Sequence, residues 1–214
     1  GGYNNVAAEV ITTVFMLLFG VNFNMYYYML SRQSGLVRDN EEFKLYFIIA
    51  IMSMLLIAGN IMPLYGDSFI TSLRYSSFQV SSIMTTTGYS TVDFHLWPMF
   101  SKIILLTLMV IGASAGSTGG GIKVARLLII FKAARREIGM IIHPRRVQTV
   151  KIENSTLDNS ILVNVLVFVA MYTVIAFIAI IIISVDGYDF ETTATAVIAA
   201  LGNIGPGFSL VGPM

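Results

Sequence analysis

Four long apolar blocks, Val10 to Leu30, Phe43 to Leu64, Met99 to Ile130 and Ile161 to Val185, constrain this chain more than any single motif. Each reaches the ~20 residues a helix needs to cross the hydrocarbon core of a bilayer. Apolar residues make up 56% of the sequence and charged residues 12%, half the roughly 25% charged content of a soluble domain. Lipid is the expected medium, and an all-α polytopic membrane protein the expected fold class. The chain has no cysteine, which excludes disulfides, thiol catalysis and soft-metal sites. A formal net charge of +1 gives no reason to expect nucleic acid. No paired acid and base and no nucleophile constellation points to an enzyme.

Basic residues set the orientation. Arg32, Arg38 and Lys44 lie between the first two blocks, and Arg126, Lys132, Arg135, Arg136, Arg145, Arg146 and Lys151 lie at or beyond the end of the third. The positive-inside rule makes both regions cytoplasmic. Asp67, Asp93, Asp186, Asp189 and Glu191 then fall on the outer side, with Lys102 and Arg74 as exceptions. Asp67, Asp93, Asp186 and Glu191 read as solvated caps or as groups that enrich cations at an entrance. Arg74 reads either as paired with an acidic residue or as snorkelling. Tyr26, Tyr27 and Tyr28 suit an interfacial aromatic belt. His95 and His143 share no ligand spacing.

Two glycine runs occupy matched places on that outer side. Thr85-Thr86-Thr87-Gly88-Tyr89-Ser90 follows a short amphipathic stretch from Asp67, where Asp67 or Ser68 would cap a helix ending near Ile83. Gly202-Asn203-Ile204-Gly205-Pro206-Gly207 follows a second short helix, Glu191 to Leu201, with Asp189 as its cap. Neither helix is long enough to span, so both are expected to re-enter toward the outer side, which places irregular backbone at membrane depth only if it is buried or lines a wet cavity. An extended run of threonine and glycine offers backbone carbonyls that replace the hydration shell of a cation. One such run is an ordinary turn; two at matched topology make pore loops. The candidate filter residues are Thr86, Thr87, Gly88, Asn203, Ile204 and Gly205.

The sequence thus reads as a repeat of outward span, short helix, glycine run and inward span. One unit covers about Glu42 to Glu137, a second begins near Asp158, and the start of the chain to Ser31 is the tail of a preceding unit. A repeat of this kind cannot bury its inner face alone, so a piece of a longer polypeptide is expected.

The inward span of the complete unit is interrupted by Gly112-Ala113-Ser114-Ala115-Gly116-Ser117-Thr118-Gly119-Gly120-Gly121. Each glycine costs a helix up to ~1 kcal/mol relative to alanine, so a break is expected near mid-membrane, with a helix resuming around Ile122 and reaching Glu137. Below a filter such a loop forms an intramembrane gate, with Lys123 at its edge repelling a cation or anchoring the loop. A passive kink for close helix packing is the alternative. A phosphate loop fails, because Ile122 stands where the lysine of that motif belongs.

Taken in order, Phe78-Gln79-Val80, Thr85-Thr86-Thr87-Gly88-Tyr89, Ala115-Gly116-Ser117-Thr118-Gly119-Gly120-Gly121-Ile122-Lys123, His143-Pro144-Arg145 and Gly202-Asn203-Ile204-Gly205-Pro206-Gly207 resemble the TrkH type of the Trk/Ktr/HKT potassium-transport superfamily. The resemblance covers nearly the whole chain. It implies four pseudo-equivalent repeats of outer helix, pore helix and inner helix around a pore in a bacterial-type inner membrane. It also implies a homodimer and a cytoplasmic nucleotide-binding regulatory ring of the TrkA kind as partner, for which the basic loop Arg135 to Lys151 would be a docking place. Residues 1–41 would be the end of the second repeat and a linker, with Gly1-Gly2-Tyr3 a remnant of its filter; 42–156 the third repeat; and 157–214 an incomplete fourth. No cofactor is implied beyond the transported potassium ion. Plant members with serine at a filter position resemble a sodium preference, whereas Gly88 and Gly205 resemble the potassium-permeable pattern. The rival functions are a sodium-permeable member of the same superfamily and an ion-coupled secondary transporter built on the broken helix, for which Lys123 is the obvious mid-membrane ionisable group.

Overall fold

The structure is a computed structural model that describes residues 5–142, 151–152 and 155–213. Its helices are α1 (Val6–Phe19), α2 (Phe23–Leu30), α3 (Ser34–Asp39), α4 (Glu41–Ile61), α5 (Phe69–Met84), α6 (Met99–Ile111), α7 (Val124–Ile142), α8 (Asn159–Ser184) and α9 (Phe190–Gly202). A two-residue hairpin, β1 (Lys151–Ile152) against β2 (Ser155–Thr156), precedes α8. The expected filter remnant Gly1-Gly2-Tyr3 and the turn His143-Pro144-Arg145 lie outside the described residues.

Helix α4 starts where Asn40 accepts a hydrogen bond from Phe43 N (2.7 Å) and where Glu41 and Glu42 meet the positive helix end. Tyr46, Ala50, Met54, Ile57, Ala58 and Ile61 recur at helical spacing and are buried, while Ile48, Ile51, Met52, Leu55 and Leu56 on the other face are exposed. A helix apolar all round suits lipid on one side and protein on the other. The buried stripe packs on α5, α6 and α7, and with Val80, Ile83, Met84, Leu105, Leu108, Met109 and Phe94 it forms the main core. Helix α8 is the second segment long and apolar enough to cross a membrane.

The block Val10 to Leu30 is not the single straight span that its composition suggests. It breaks after Phe19 and turns by 91° into α2. The physical cause is local: Gly20 ends α1, and the Asn22 side chain starts α2 by accepting from Asn24 N (3.0 Å). The carbonyls orphaned by the break find side-chain donors, with the Tyr46 hydroxyl donating to Leu17 O (2.9 Å) and the Tyr26 hydroxyl to Leu18 O. The third block breaks as expected, into α6 and α7, the latter starting at Val124 and running past Glu137 to Ile142.

Helices α5 and α9 are about 24 and 20 Å long at 1.5 Å per residue, short of the ~30 Å hydrocarbon thickness. They begin at side-chain caps, Ser68 and Asp189 respectively. Helix α5 packs on α1, α4 and α6, and α9 packs on α6 and α8. Both therefore end inside the bundle, and their last residues position the two glycine runs.

Candidate functional site

The two short helices end in the same turn. Thr86 (φ 55°) and Asn203 (φ 52°) both adopt the left-handed conformation. Thr86 N donates to Ile83 O and Asn203 N to Ala200 O, each at 3.1 Å. Thr87 N donates to Ser82 O (2.8 Å) and Ile204 N to Ala199 O (2.9 Å). Residue for residue, Thr86, Thr87 and Gly88 thus stand where Asn203, Ile204 and Gly205 stand. Asparagine visits this conformation readily, but a β-branched threonine there is a genuine outlier, and strain of that kind is held by its surroundings. Here the Thr86 hydroxyl oxygen accepts from Gly120 N at 2.9 Å.

Past each turn the chain leaves its helix with its acceptors free. Among the described residues, the carbonyl oxygens of Thr86, Thr87, Gly88, Asn203, Ile204 and Gly205 accept no hydrogen bond. Thr87, Asn203 and Gly205 are exposed, Thr86 and Gly88 half-buried and Ile204 buried, so the two matched segments offer open carbonyl acceptors of the kind that can coordinate a dehydrated cation. The segments also touch. A Cβ built on Gly88 (φ 79°) would lie 2.0 Å from the Ile204 carbonyl oxygen, so no side chain fits there.

The glycine-rich excursion lies against the base of both segments. Its ends are stitched together: Ile122 N donates to Val110 O (3.0 Å), Lys123 N to Ile111 O (2.8 Å) and Val124 N to Ala113 O (3.0 Å). Between them, Gly112 to Gly121 projects from the helix. Gly119 abuts the Thr85 carbonyl, and Gly120 approaches the backbone of Gly202 so closely that a Cβ would sit 2.0 Å from its carbonyl oxygen. The far side of the loop is held by the break in α1, through Ser114 N to Gly20 O (3.1 Å) and Phe23 N to Gly116 O (3.2 Å). Ala115 N donates to Glu42 Oε1 (2.6 Å). Ser117 Oγ donates to Ser114 O (2.6 Å), and Thr118 Oγ1 reaches Phe19 O (3.4 Å). Lys123 turns back on the loop, its Nζ donating to Gly119 O.

Several supporting residues escape sequence reasoning. Gln79 is fully buried and its amide donates to Ser90 Oγ (2.8 Å) and Val92 O (3.3 Å), while Ser82 Oγ donates to Tyr89 O (2.6 Å). These ties fasten the segment leaving Gly88 to its own helix. On the second segment Thr195 Oγ1 accepts from Phe208 N (2.9 Å), and His95 Nδ1 from Ser209 N (3.0 Å). Arg74 is paired with the buried Glu9 (2.9 Å), and Lys102 with Glu191 (2.6 Å). A glutamine or serine within an apolar helix was the visible signal for the first set; the partners of the charged residues had none. Hydrogen bonds from the Thr192 hydroxyl and then from its backbone N–H hold the Asp189 carboxyl below the usual carboxylate range.

The TrkH family model, described as a cation transport protein, matches residues 62–210. The Trk system potassium uptake protein TrkH of Salmonella typhimurium is 34% identical over 99% of this chain and 44% of its own length. The corresponding protein of Escherichia coli is 33% identical over the same shares. A crystal structure of the potassium transporter TrkH from Vibrio parahaemolyticus aligns with a TM-score of 0.88 at 30% identity, covering 98% of this chain and 46% of that one. The chain thus spans less than half the length of these relatives.

Proposed function

This chain belongs to the TrkH family of cation transport proteins, and we propose that it supplies part of the wall of a potassium uptake pore in the cell membrane. Thr86, Thr87, Gly88, Asn203, Ile204 and Gly205 line the filter, where their carbonyls take the place of water around the ion. The C-terminal ends of α5 and α9, each carrying about half a negative charge, add to the attraction for a cation. The observation that carries this reading is the set of six carbonyls without hydrogen-bond partners on two turns of the same geometry. The names of the relatives, which specify potassium uptake, support the choice of ion. Uptake needs no nucleotide hydrolysis by this chain, since the membrane voltage supplies ~2.3 kcal/mol per charge per 100 mV.

The loop from Gly112 through Ala113, Ser114, Ala115, Gly116, Ser117, Thr118, Gly119 and Gly120 to Gly121 is the gate. It obstructs the path directly below the filter, and Lys123 anchors it from within. Residues 42–156 act as one complete pore repeat, 157–214 as most of the next and 1–41 as the end of the one before. The remaining wall comes from the part of the relatives' length that this chain does not span. As a family inference, the complete protein is a multi-pass inner-membrane homodimer regulated by a cytoplasmic TrkA-type ring.

The test is the reversal potential of the full-length protein in opposed potassium and sodium gradients. A value following potassium supports the filter assignment, and one indifferent to the two ions overturns it. Removing residues 115–118 raises potassium flux if the loop is a gate. Unchanged flux in a folded deletion variant removes that role.

A further inference from the structure

We propose that Glu42 is the latch of the intramembrane loop, a positioning residue whose carboxylate holds the loop across the pore. The inference rests on the gate reading above. Glu42 sits in the first turn of α4, where a carboxylate is ordinarily explained by the helix dipole alone. That explanation does not account for where its side chain goes. Glu42 is buried, at 9% exposure, and its Oε1 accepts from Ala115 N at 2.6 Å, a contact between residues far apart in sequence.

Five hydrogen bonds tie the loop to its surroundings: those of Ser114 N, Ala115 N, the Gly116 carbonyl, the Thr118 hydroxyl and Gly120 N. Among the described residues, four of these are between neutral groups and the one to Glu42 has a charged partner; the Lys123 ammonium also bonds Gly119 O, but from the chain just past the loop and not from another helix. Bonds to a carboxylate are shorter and roughly twice as strong as neutral ones. It meets the loop two residues past the stitched end at Ala113, between the Ser114 and Gly116 bonds to the break in α1.

The neighbouring residue extends the argument. Glu41 pairs with Lys132 on α7. The two consecutive carboxylates of α4 therefore hold two parts of the broken helix pair, Glu41 the helix α7 and Glu42 the loop before it. A displacement of α7 relative to α4 pulls on the same turn that holds the latch, which gives cytoplasmic movement a direct route to the obstruction.

The experiment is potassium flux through the full-length protein in proteoliposomes, with Glu42→Ala and Glu42→Gln each made in the wild-type background and in the variant lacking residues 115–118. With the loop intact, Glu42→Ala raises basal flux about tenfold, which corresponds to ~1.4 kcal/mol withdrawn from the closed arrangement. Glu42→Gln, which keeps an acceptor oxygen without the charge, gives a smaller rise and carries the test if the alanine variant does not fold. The potassium to sodium reversal potential stays fixed, and in the shortened background neither substitution adds anything. Three results overturn the latch: unchanged flux in a folded Glu42 variant, a shifted reversal potential, or an equal rise without residues 115–118. If the deletion raises flux and the Glu42 variants do not, the gate stands and the latch falls. If the deletion itself changes nothing, both fall.

Discussion

The two short helices and the glycine runs that follow them are built alike and held differently. In each, the short helix is clasped to an earlier helix by an ion pair, and the charge is reversed between them: Arg74 on α5 to Glu9 on α1, Glu191 on α9 to Lys102 on α6. Arg74 and Glu191 stand the same number of residues before Gly88 and Gly205. Repetition has kept the position of the clasp and not its sign. Opposite polarity also discourages the wrong pairing, since Arg74 beside Lys102 or Glu9 beside Glu191 would repel. Burial differs as well. The Glu9 side chain is 9% exposed, while that of Glu191 is 37% exposed, so the first clasp works in a drier medium.

That difference gives the largest expected effect. Arg74→Met leaves a buried carboxylate without its cation and should lower the stability of the full-length protein by about 3 kcal/mol, the cost of breaking a buried pair. Lys102→Met frees a partner that water reaches, and the expected loss is about 0.5–1 kcal/mol, shrinking further in high salt. Thermal unfolding in detergent at two ionic strengths checks both. Equal losses would break the comparison.

The two glycine runs differ next. A side chain at Gly88 meets the Ile204 carbonyl at 2.0 Å, whereas a Cβ at Gly205 (φ 109°) meets nothing within 4 Å. Both substitutions carry the left-handed penalty of about 1–2 kcal/mol, but only Gly88→Ser must also displace the neighbouring filter. We expect Gly88→Ser to cut the potassium to sodium permeability ratio about tenfold, the equivalent of ~1.4 kcal/mol, and Gly205→Ser to cut it less. Reversal potentials in paired gradients measure this. A larger effect at Gly205 would mean that its open side faces the ion more closely than Gly88 does.

Bracing behind the filters sets a third contrast. Gln79, Ser82 and Ser90 tie the first segment to its own helix, whereas the corresponding positions of the second, Ala196, Ala199 and Gly207, offer no side-chain polar group. The second segment relies on Thr195 and borrows His95 from the preceding unit. Gln79→Leu should cost about 1–2 kcal/mol, two donated bonds partly offset by relief of a buried amide oxygen without a partner among the described residues. Thr195→Val, which removes one acceptor, should cost about 1 kcal/mol on the same scale. Melting temperatures resolve the two.

How much of this was readable beforehand follows from the range of the interactions. The apolar length of α4, the caps Ser68 and Asp189 and the break after Ile111 depend on neighbours in sequence, and all were legible. The turn geometry shared by Thr86 and Asn203 was hidden, because threonine and asparagine have different local preferences and only the packing forces both into one conformation. The 91° break at Gly20 was hidden for a related reason. A lone glycine in an apolar run is a weak stop signal by itself, and only the fold shows the Tyr46 and Tyr26 hydroxyls bonding the carbonyls of Leu17 and Leu18 beside Gly20. Glu42 was masked by an ordinary role, since an acidic residue at a helix start explains itself until its partner across the fold is seen.

The smallest effect separates the two helix caps. Helix α5 begins at Ser68, whose neutral hydroxyl accepts from Thr71 N (3.4 Å), and α9 at Asp189, whose carboxylate accepts from Thr192 N (3.0 Å). Hydrogen bonds to the charged form hold the Asp189 carboxyl below the ordinary aspartate value of 3.8. A folded-state value that is depressed means stability that is present above the unfolded value and lost as pH falls through the folded one. Acidification below about pH 4, the range where an ordinary aspartate titrates, should therefore loosen the first turn of α9 and leave that of α5 untouched. Amide hydrogen exchange at Thr192 and Thr193 against Thr71 and Ser72 reads the difference. Asp189→Asn, whose side-chain oxygen still caps but does not titrate, should abolish the pH dependence at α9, and a dependence surviving that substitution would mean that the Asp189 cap is not its origin.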